Sequence, residues 1–362
     1  MDLTTPEEPA GHAPAVEITG TAQRQAWLDR TDPPVEQVRP GLWSIPVPLP
    51  MPQLRYVLVY AVELPDGVGL IDAGWFGDDA WEALERGLAV AGAGVDDVRG
   101  VVVTHVHPDH HGLAGRLRQT SGAWVGLHPD EAATLPSRLG EIDELLEGSR
   151  ADLRRLGAPD DEIGRSSVTA EQLAFLMELA EPDVAIADGD RLPFKGWDLR
   201  AVHTPGHTPG HLCVHDAERG LLFSGDHVLP RISPNVSAQW GQLPDPLGDF
   251  VGTFDRLRAL DVREVLPAHE YRFAGLGARL DELERHHRER LDELLALVTA
   301  DPGLSPWEMA PLLTWSRPWP EITRMMRRAA VTETLAHLRR LEAEGKTRAE
   351  PGEPERWYPA AT

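Results

Sequence analysis

The chain holds a single cysteine, Cys213, among 362 residues. That excludes an internal disulfide framework and any cysteine-rich zinc site, and it fits a reducing, cytoplasmic setting. No apolar run approaches the ~20 residues needed to span a bilayer, so no membrane partner is expected. The first residues, MDLTTPEE, are acidic and lack the hydrophobic stretch of a secretory signal. Positive charge is scarce as well: 35 Lys and Arg stand against 58 Asp and Glu, a formal charge of −23. Phosphate backbones are held by clusters of Lys and Arg, so a nucleic-acid partner is disfavoured. What remains is an ordinary globular composition, 41% hydrophobic and 26% charged, long enough for one large domain with an appendage or for two domains.

Residues 1–22 are polar, contain Pro and Gly and show no periodicity, which predicts an unstructured tail. Strand-like runs follow at LWSIPVPL, RYVLVYAVEL and GVGLIDAG, separated by turn signals such as Pro65-Asp66-Gly67. The spacing of Trp81, Leu84, Leu88 and Val90 predicts an amphipathic helix over 78–92, and VRGVVVTHV then returns to strand. Strand, helix, strand is an α/β pattern. Residues 130–182 read as a helical insertion in this β-rich sequence, a cap over a pocket, and QLAFLMEL within it offers Leu173, Phe175, Leu176 and Met177 to an acyl chain. The catalytic region is therefore expected over 23–275. A long charged helix from Leu276, a second helix with Val331, Leu335, Leu338 and Leu341 at helical spacing, and a closing hairpin predict a small winged-helix-like domain within 276–362.

Four of the fifteen histidines fall in THVHPDHHG, residues 104–112, directly after a β-branched run. Alternate residues leaving a strand point the same way. His105 and His107 are thus placed to share one metal ion, while Asp109 and His110 address another. Two donors per ion are too few, because zinc takes four or five and a catalytic site keeps one position for water. Further donors are available in HTPGHTPGH (His203, His207, His211), FSGDH (Asp226, His227) and VLPAHE (His269). Each of these segments also sits just past a strand, where α/β proteins gather their active sites. The donor chemistry favours zinc, and iron or manganese would also suit nitrogen–oxygen ligation. His111, His128 and the pair His286–His287 read as structural or solvated, and Cys213 as a small core residue.

The ordered set of T-H-x-H-x-D-H, G-H-T-P-G-H, S-G-D and P-A-H, preceded by LIDAG at 70–74, resembles the metallo-β-lactamase superfamily over roughly residues 40–272. The resemblance implies an αββα sandwich with two divalent ions at one edge. His105, His107 and His207 would hold the first ion, and Asp109, His110 and His269 the second. Asp226 would bridge them, Asp72 would steady the loops, and His211 and His227 would support the site or face substrate. Asp109 is the candidate for proton transfer. A bridging carboxylate points away from typical β-lactamases and toward the branch resembling glyoxalase II, lactonases and RNase Z. The expected function is hydrolysis of a small acyl thioester or ester. The alternatives are an endoribonuclease or phosphodiesterase, a lactonase or β-lactamase and, disfavoured by the intact donor set, a non-enzymatic regulator. Oligomerisation through the insertion or the C-terminal segment is open.

Overall fold

The computed structural model describes residues 16–51, 53–135, 142–164, 179–238, 243–322 and 324–360. Two sheets dominate them. The first runs β2 (Glu36–Arg39), β3 (Leu42–Pro48), β4 (Tyr56–Leu64), β5 (Gly67–Ile71), β6 (Val98–Val102), β7 (Trp124–Leu127), β8 (Val184–Ala185). The second runs β1 (Glu17–Ile18), β13 (Phe273–Ala274), β12 (Glu264–Pro267), β11 (Leu221–Gly225), β10 (Leu212–Asp216), β9 (Leu199–His203). Strands β5 to β8 pair in parallel, as do β11 and β12, so their carboxyl ends lie together.

Period-two alternation explains the layering. Along β4, Tyr56, Leu58, Tyr60 and Val62 face a buried layer shared with Leu199, Leu212, Val214 and Phe223 of the second sheet. The intervening Val57, Val59 and Ala61 face helices, where Leu84, Leu88, Leu113 and Leu117 cover them. Outer residues of the second sheet, among them Cys213, Leu222 and Val265, are covered in turn by Phe250, Phe254, Leu280, Leu294 and Leu338. Helix, sheet, sheet, helix is the expected sandwich. Such fully covered strands read as nearly continuous apolar runs, which is how VVV and YVLVYAV appear in the sequence.

Several expectations need correction. The tail is expected to stay unstructured through residue 22, yet Glu17–Ile18 pairs with Phe273–Ala274 and a helix begins at Thr21. Two paired residues on an edge leave too short a pattern to read. Residues 1–15 lie outside the described residues, as do Leu173, Phe175, Leu176 and Met177 of the supposed acyl lining. The first amphipathic helix spans Asp78–Val90 with Trp81, Leu84 and Leu88 buried, but Val90 is exposed at its last turn. From residue 276 onward the expected order of helices and hairpin is present: Leu276–Ala300, Arg324–Ala343, then β14 (Thr347–Glu350) paired with β15 (Arg356–Pro359). These elements share one core with the second sheet, Trp357 of the hairpin included. His287, expected on a solvated helix face, is buried against Phe250 and His337. Among the described residues no helix is long and apolar enough to cross a membrane.

Candidate metal centre

Parallel pairing brings the donor segments to one edge. Asp72 follows β5 and His105 follows β6; Asp226 follows β11 and His269 follows β12. Backbone bonds from Leu212 N to the Thr104 carbonyl (2.9 Å) and from Leu58 N to the Ala268 carbonyl (2.7 Å) stitch the two sheets together there.

Two donor groups form. In the first, His105 Nε2 lies 2.8 Å from His107 Nδ1, and His207 Nε2 lies 3.2 and 3.1 Å from these two atoms. Three mutually facing imidazole nitrogens cannot all be satisfied by one another's protons. Donors of one tetrahedral zinc at about 2.0–2.1 Å would lie about 3.3 Å apart, close to this triangle. In the second group, Asp109 Oδ2 lies 3.2 Å from His269 Nε2 and 3.7 Å from His110 Nε2. Asp226 stands between the groups. Its Oδ1 lies 3.3 Å from His269 Nε2 and 3.5 Å from His110 Nε2, while its Oδ2 lies 3.7 Å from His207 Nε2. His110 Nε2, His269 Nε2 and Asp226 Oδ1 are buried without a hydrogen-bond partner. Orphaned buried polar atoms are costly, and a shared cation would satisfy all three.

The opposite ring nitrogens are occupied, which fixes which lone pair faces inward. His110 Nδ1 donates to Asp72 Oδ2 at 2.8 Å, His269 Nδ1 to the Tyr56 carbonyl at 3.0 Å, and His207 Nδ1 to the Asn235 carbonyl at 2.7 Å. His105 Nδ1 donates to Thr104 Oγ1 at 3.1 Å, and that hydroxyl donates to Asp72 Oδ2. Asp72 also accepts from Thr104 N at 2.8 Å, and it does so from a left-handed backbone (φ 63°) that an aspartate adopts at a cost.

The two groups differ electrostatically. Burial, reinforced by neighbouring imidazoles, holds His105 well below its ordinary range and His107 at about 3, so both rings are neutral and ligand-ready. Burial acts the same way on His269, but Asp226 and Asp109 outweigh it and carry the ring up to about 10. Burial likewise opposes ionisation of Asp109, yet His110 and His269 bring it down to about 2. The second group is therefore a concentration of buried carboxylate charge, for which a divalent cation is the natural counterion.

The remaining histidines separate clearly. His211 accepts from the Asp226 backbone N–H at 3.2 Å and meets Thr204 Oγ1 at 2.8 Å, so it shapes the loop carrying Asp226. Gly225 before it has φ 50°, and a Cβ there would lie 2.6 Å from His211 Nε2. His227 is fully buried, binds Thr253 Oγ1 at 2.7 Å and packs on Phe250. His111 turns away to the Ala180 carbonyl, and His203 stacks on His128 at 3.9 Å. One residue had no sequence signal. Glu131, buried at the start of the insertion, accepts from Val106 N (2.7 Å) with one oxygen and from Gly210 N (2.9 Å) with the other. It clamps together the loops that carry His105–His107 and His207. A surface concavity of about 670 Å³, lined by Leu49, Trp75, Phe76 and Arg86 among others, contains none of the clustered donors.

The family model described as the Metallo-beta-lactamase superfamily matches residues 52–269. Over 306 residues the chain is 26% identical to the “Probable metallo-hydrolase YqjP” of Bacillus subtilis, covering 83% of this chain and 92% of that protein. Over 173 residues it is 33% identical to the human “Acyl-coenzyme A thioesterase MBLAC2”, covering 46% of this chain and 54% of that protein. The match thus spans about half the length of that relative. Among solved structures, a metallo-beta-lactamase family protein from Thermus thermophilus superposes with a TM-score of 0.73 at 33% identity, covering 89% of this chain and 100% of that one.

Proposed function

The chain belongs to the metallo-beta-lactamase superfamily of metal-dependent hydrolases, and from that premise we propose that it hydrolyses acyl thioesters, of the acyl-coenzyme A type, with two divalent ions. The observation that carries the two-ion reading is Asp226, whose two oxygens address two different donor groups. His105, His107 and His207 would hold one ion; Asp109, His110 and His269 would hold the other; Asp226 would belong to both. Zinc is the ion that best suits five imidazoles and two carboxylates. Two such ions would acidify a water and polarise the acyl carbonyl.

The chain's own residues do the rest. Asp72, Thr104 and the carbonyls of Tyr56 and Asn235 hold the imidazoles in the tautomer that presents a lone pair inward. Glu131 keeps the two histidine loops in register. Asp109 is assigned the proton transfer: its carboxylate lies in the donor cluster, 3.2 Å from His269 Nε2, and would take a proton from the attacking water and return it to the departing thiolate. The products are a carboxylate and a thiol.

The choice of thioester rests on the human relative's name and on charge. A net −23 disfavours RNA, whose binding needs a basic track. The test is a panel of acyl-coenzyme A thioesters, an acyl-homoserine lactone, a cephalosporin and single-stranded RNA, offered to the zinc-loaded protein. The highest kcat/KM is expected on a thioester; preferential cleavage of RNA or of the lactone would overturn the assignment.

A further inference from the structure

His207 is the donor of the first group supplied by the second sheet's side of the edge, and among the described residues no hydrogen bond from its own loop reaches its ring. Its Nδ1 instead donates, at 2.7 Å, to the main-chain carbonyl of Asn235, twenty-eight residues away. That carbonyl lies in an irregular segment, 229–238, without strand or helix of its own. A carbonyl in such a segment keeps its place only if something else holds the peptide.

Arg279 of the helix Leu276–Ala300 donates to the Leu229 and Ile232 carbonyls at 2.7 Å each, and the hold on Asn235 itself comes from the C-terminal helix Arg324–Ala343. Asn235 Nδ2 donates to Glu333 Oε2 at 2.9 Å and approaches the Ala329 carbonyl at 3.5 Å. Ser237 donates to Asn235 Oδ1 and meets Thr332 Oγ1 at 3.0 Å, and Ala238 N donates to the Thr332 carbonyl at 3.1 Å. Further along the helix, Arg340 pairs with Asp245 at 3.1 Å, beyond the same segment. The chain His207–Asn235–Glu333 therefore runs unbroken from a donor nitrogen to a residue far later in sequence, by contacts of 2.7 and 2.9 Å.

We propose that Glu333 is a positioning residue of the metal centre: by fixing Asn235 it aims His207, so the C-terminal helix is a working part of the site. The role does not depend on the carboxyl's charge. Loss of water pushes Glu333 up to about 7, against the Asn235 bond and Arg290, and Oε2 accepts from Asn235 in either protonation state. The inference rests on reading these donors as a metal centre, and the test keeps the two separate.

Zinc affinity is measured on the full-length apoprotein by competition with a chromophoric chelator, for wild type, Glu333→Ala, Glu333→Gln and, as a control that cuts a neighbouring helix–loop tie, Arg340→Ala. Removing an outer partner of a ligating histidine typically lowers affinity about 10–100-fold. Glu333→Ala is expected to lose at least ~10-fold, whereas Glu333→Gln, whose amide oxygen still accepts from Asn235, and Arg340→Ala stay within ~3-fold. Nitrogen NMR of the apoprotein gives a second readout: His207 holds its proton on Nδ1 in wild type and Glu333→Gln, and exchanges between both nitrogens in Glu333→Ala. Should the alanine variant not fold, Glu333→Asp, with its carboxylate retracted by one methylene, carries the same comparison. Wild-type zinc affinity in Glu333→Ala or Glu333→Asp, or an equal loss in Arg340→Ala, overturns the role of Glu333. A wild-type protein that binds no zinc overturns the metal-centre reading instead.

Discussion

At the sandwich edge, His105, His107 and His207 turn ring nitrogens toward one another at 2.8–3.2 Å, with two carboxylates alongside. In the layer between the second sheet and the C-terminal helices, His227, His287 and His337 are buried, more completely than His107 and His207 at the edge. There the rings meet Thr253 Oγ1, the Glu333 carbonyl and each other, and their faces pack on Phe250 and Phe254. Both regions contain ring nitrogens with no hydrogen-bond partner. Burial and an orphaned nitrogen therefore do not mark a ligand. Convergence does: at the edge His110 Nε2 and His269 Nε2 both approach Asp226 Oδ1, and in the interior the rings of His227 and His287 lie against Phe250. The charge states follow the same division. Burial, reinforced by His286 and Arg290 against the bond to the Glu333 carbonyl, takes His337 down to about 4, whereas burial beside Asp226 and Asp109 leaves His269 at about 10.

The comparison breaks most visibly at Asp226. Asp226→Ala removes the one residue common to both donor groups, and thioester turnover is expected to fall by more than the ~100-fold upper range for losing an outer partner. Thermal stability of the apoprotein should fall, because His110 and His269, which Asp226 helps to hold charged, lose a buried partner. A stopped-time hydrolysis assay with a melting curve reads both. A smaller effect belongs to Asp72→Asn. The isosteric amide weakens the grip on His110 and Thr104, and zinc affinity is expected to drop about 10–100-fold with the fold retained, as a chelator competition would show.

The smallest effect concerns the interior histidines. The folded-state pKa of His337 lies below the ordinary value of 6.5, so the unfolded chain binds more protons as the solution is acidified. Its contribution to stability is complete above about pH 6.5 and is lost as pH falls toward about 4. His286, His287 and Arg290 surround the ring. His337→Leu should flatten the decline of melting temperature over that window while leaving zinc affinity unchanged; an unaltered slope would show that other groups set the acid limit.

Much of the edge is legible in the sequence alone. THVHPDHHG, HTPGHTPGH, FSGDH and VLPAHE are local signals, each at the end of an apolar run; parallel pairing of β5–β6 and of β11–β12, with the antiparallel β9–β10 turn at the same end, converts four local signals into one cluster. The layered fold is legible for the same reason, since strands covered on both faces are apolar throughout. What escapes is everything defined only by long-range contact. Glu131 looks like any surface glutamate until two loops present their N–H groups to it. Glu17–Ile18 has no pattern until Phe273 lies beside it. His287 is misread, and the choice between support and substrate is left open for His227, because a histidine's sequence neighbours do not reveal whether the ring faces a carboxylate or a phenyl group.

The most direct test of a two-ion hydrolase is to titrate the apoprotein with zinc while following hydrolysis of an acyl-coenzyme A thioester. If Asp226 unites two sites, the rate should climb until the second equivalent of zinc per chain and then level off. A rate that saturates at one equivalent, or that is indifferent to zinc, would contradict a dinuclear centre at this edge.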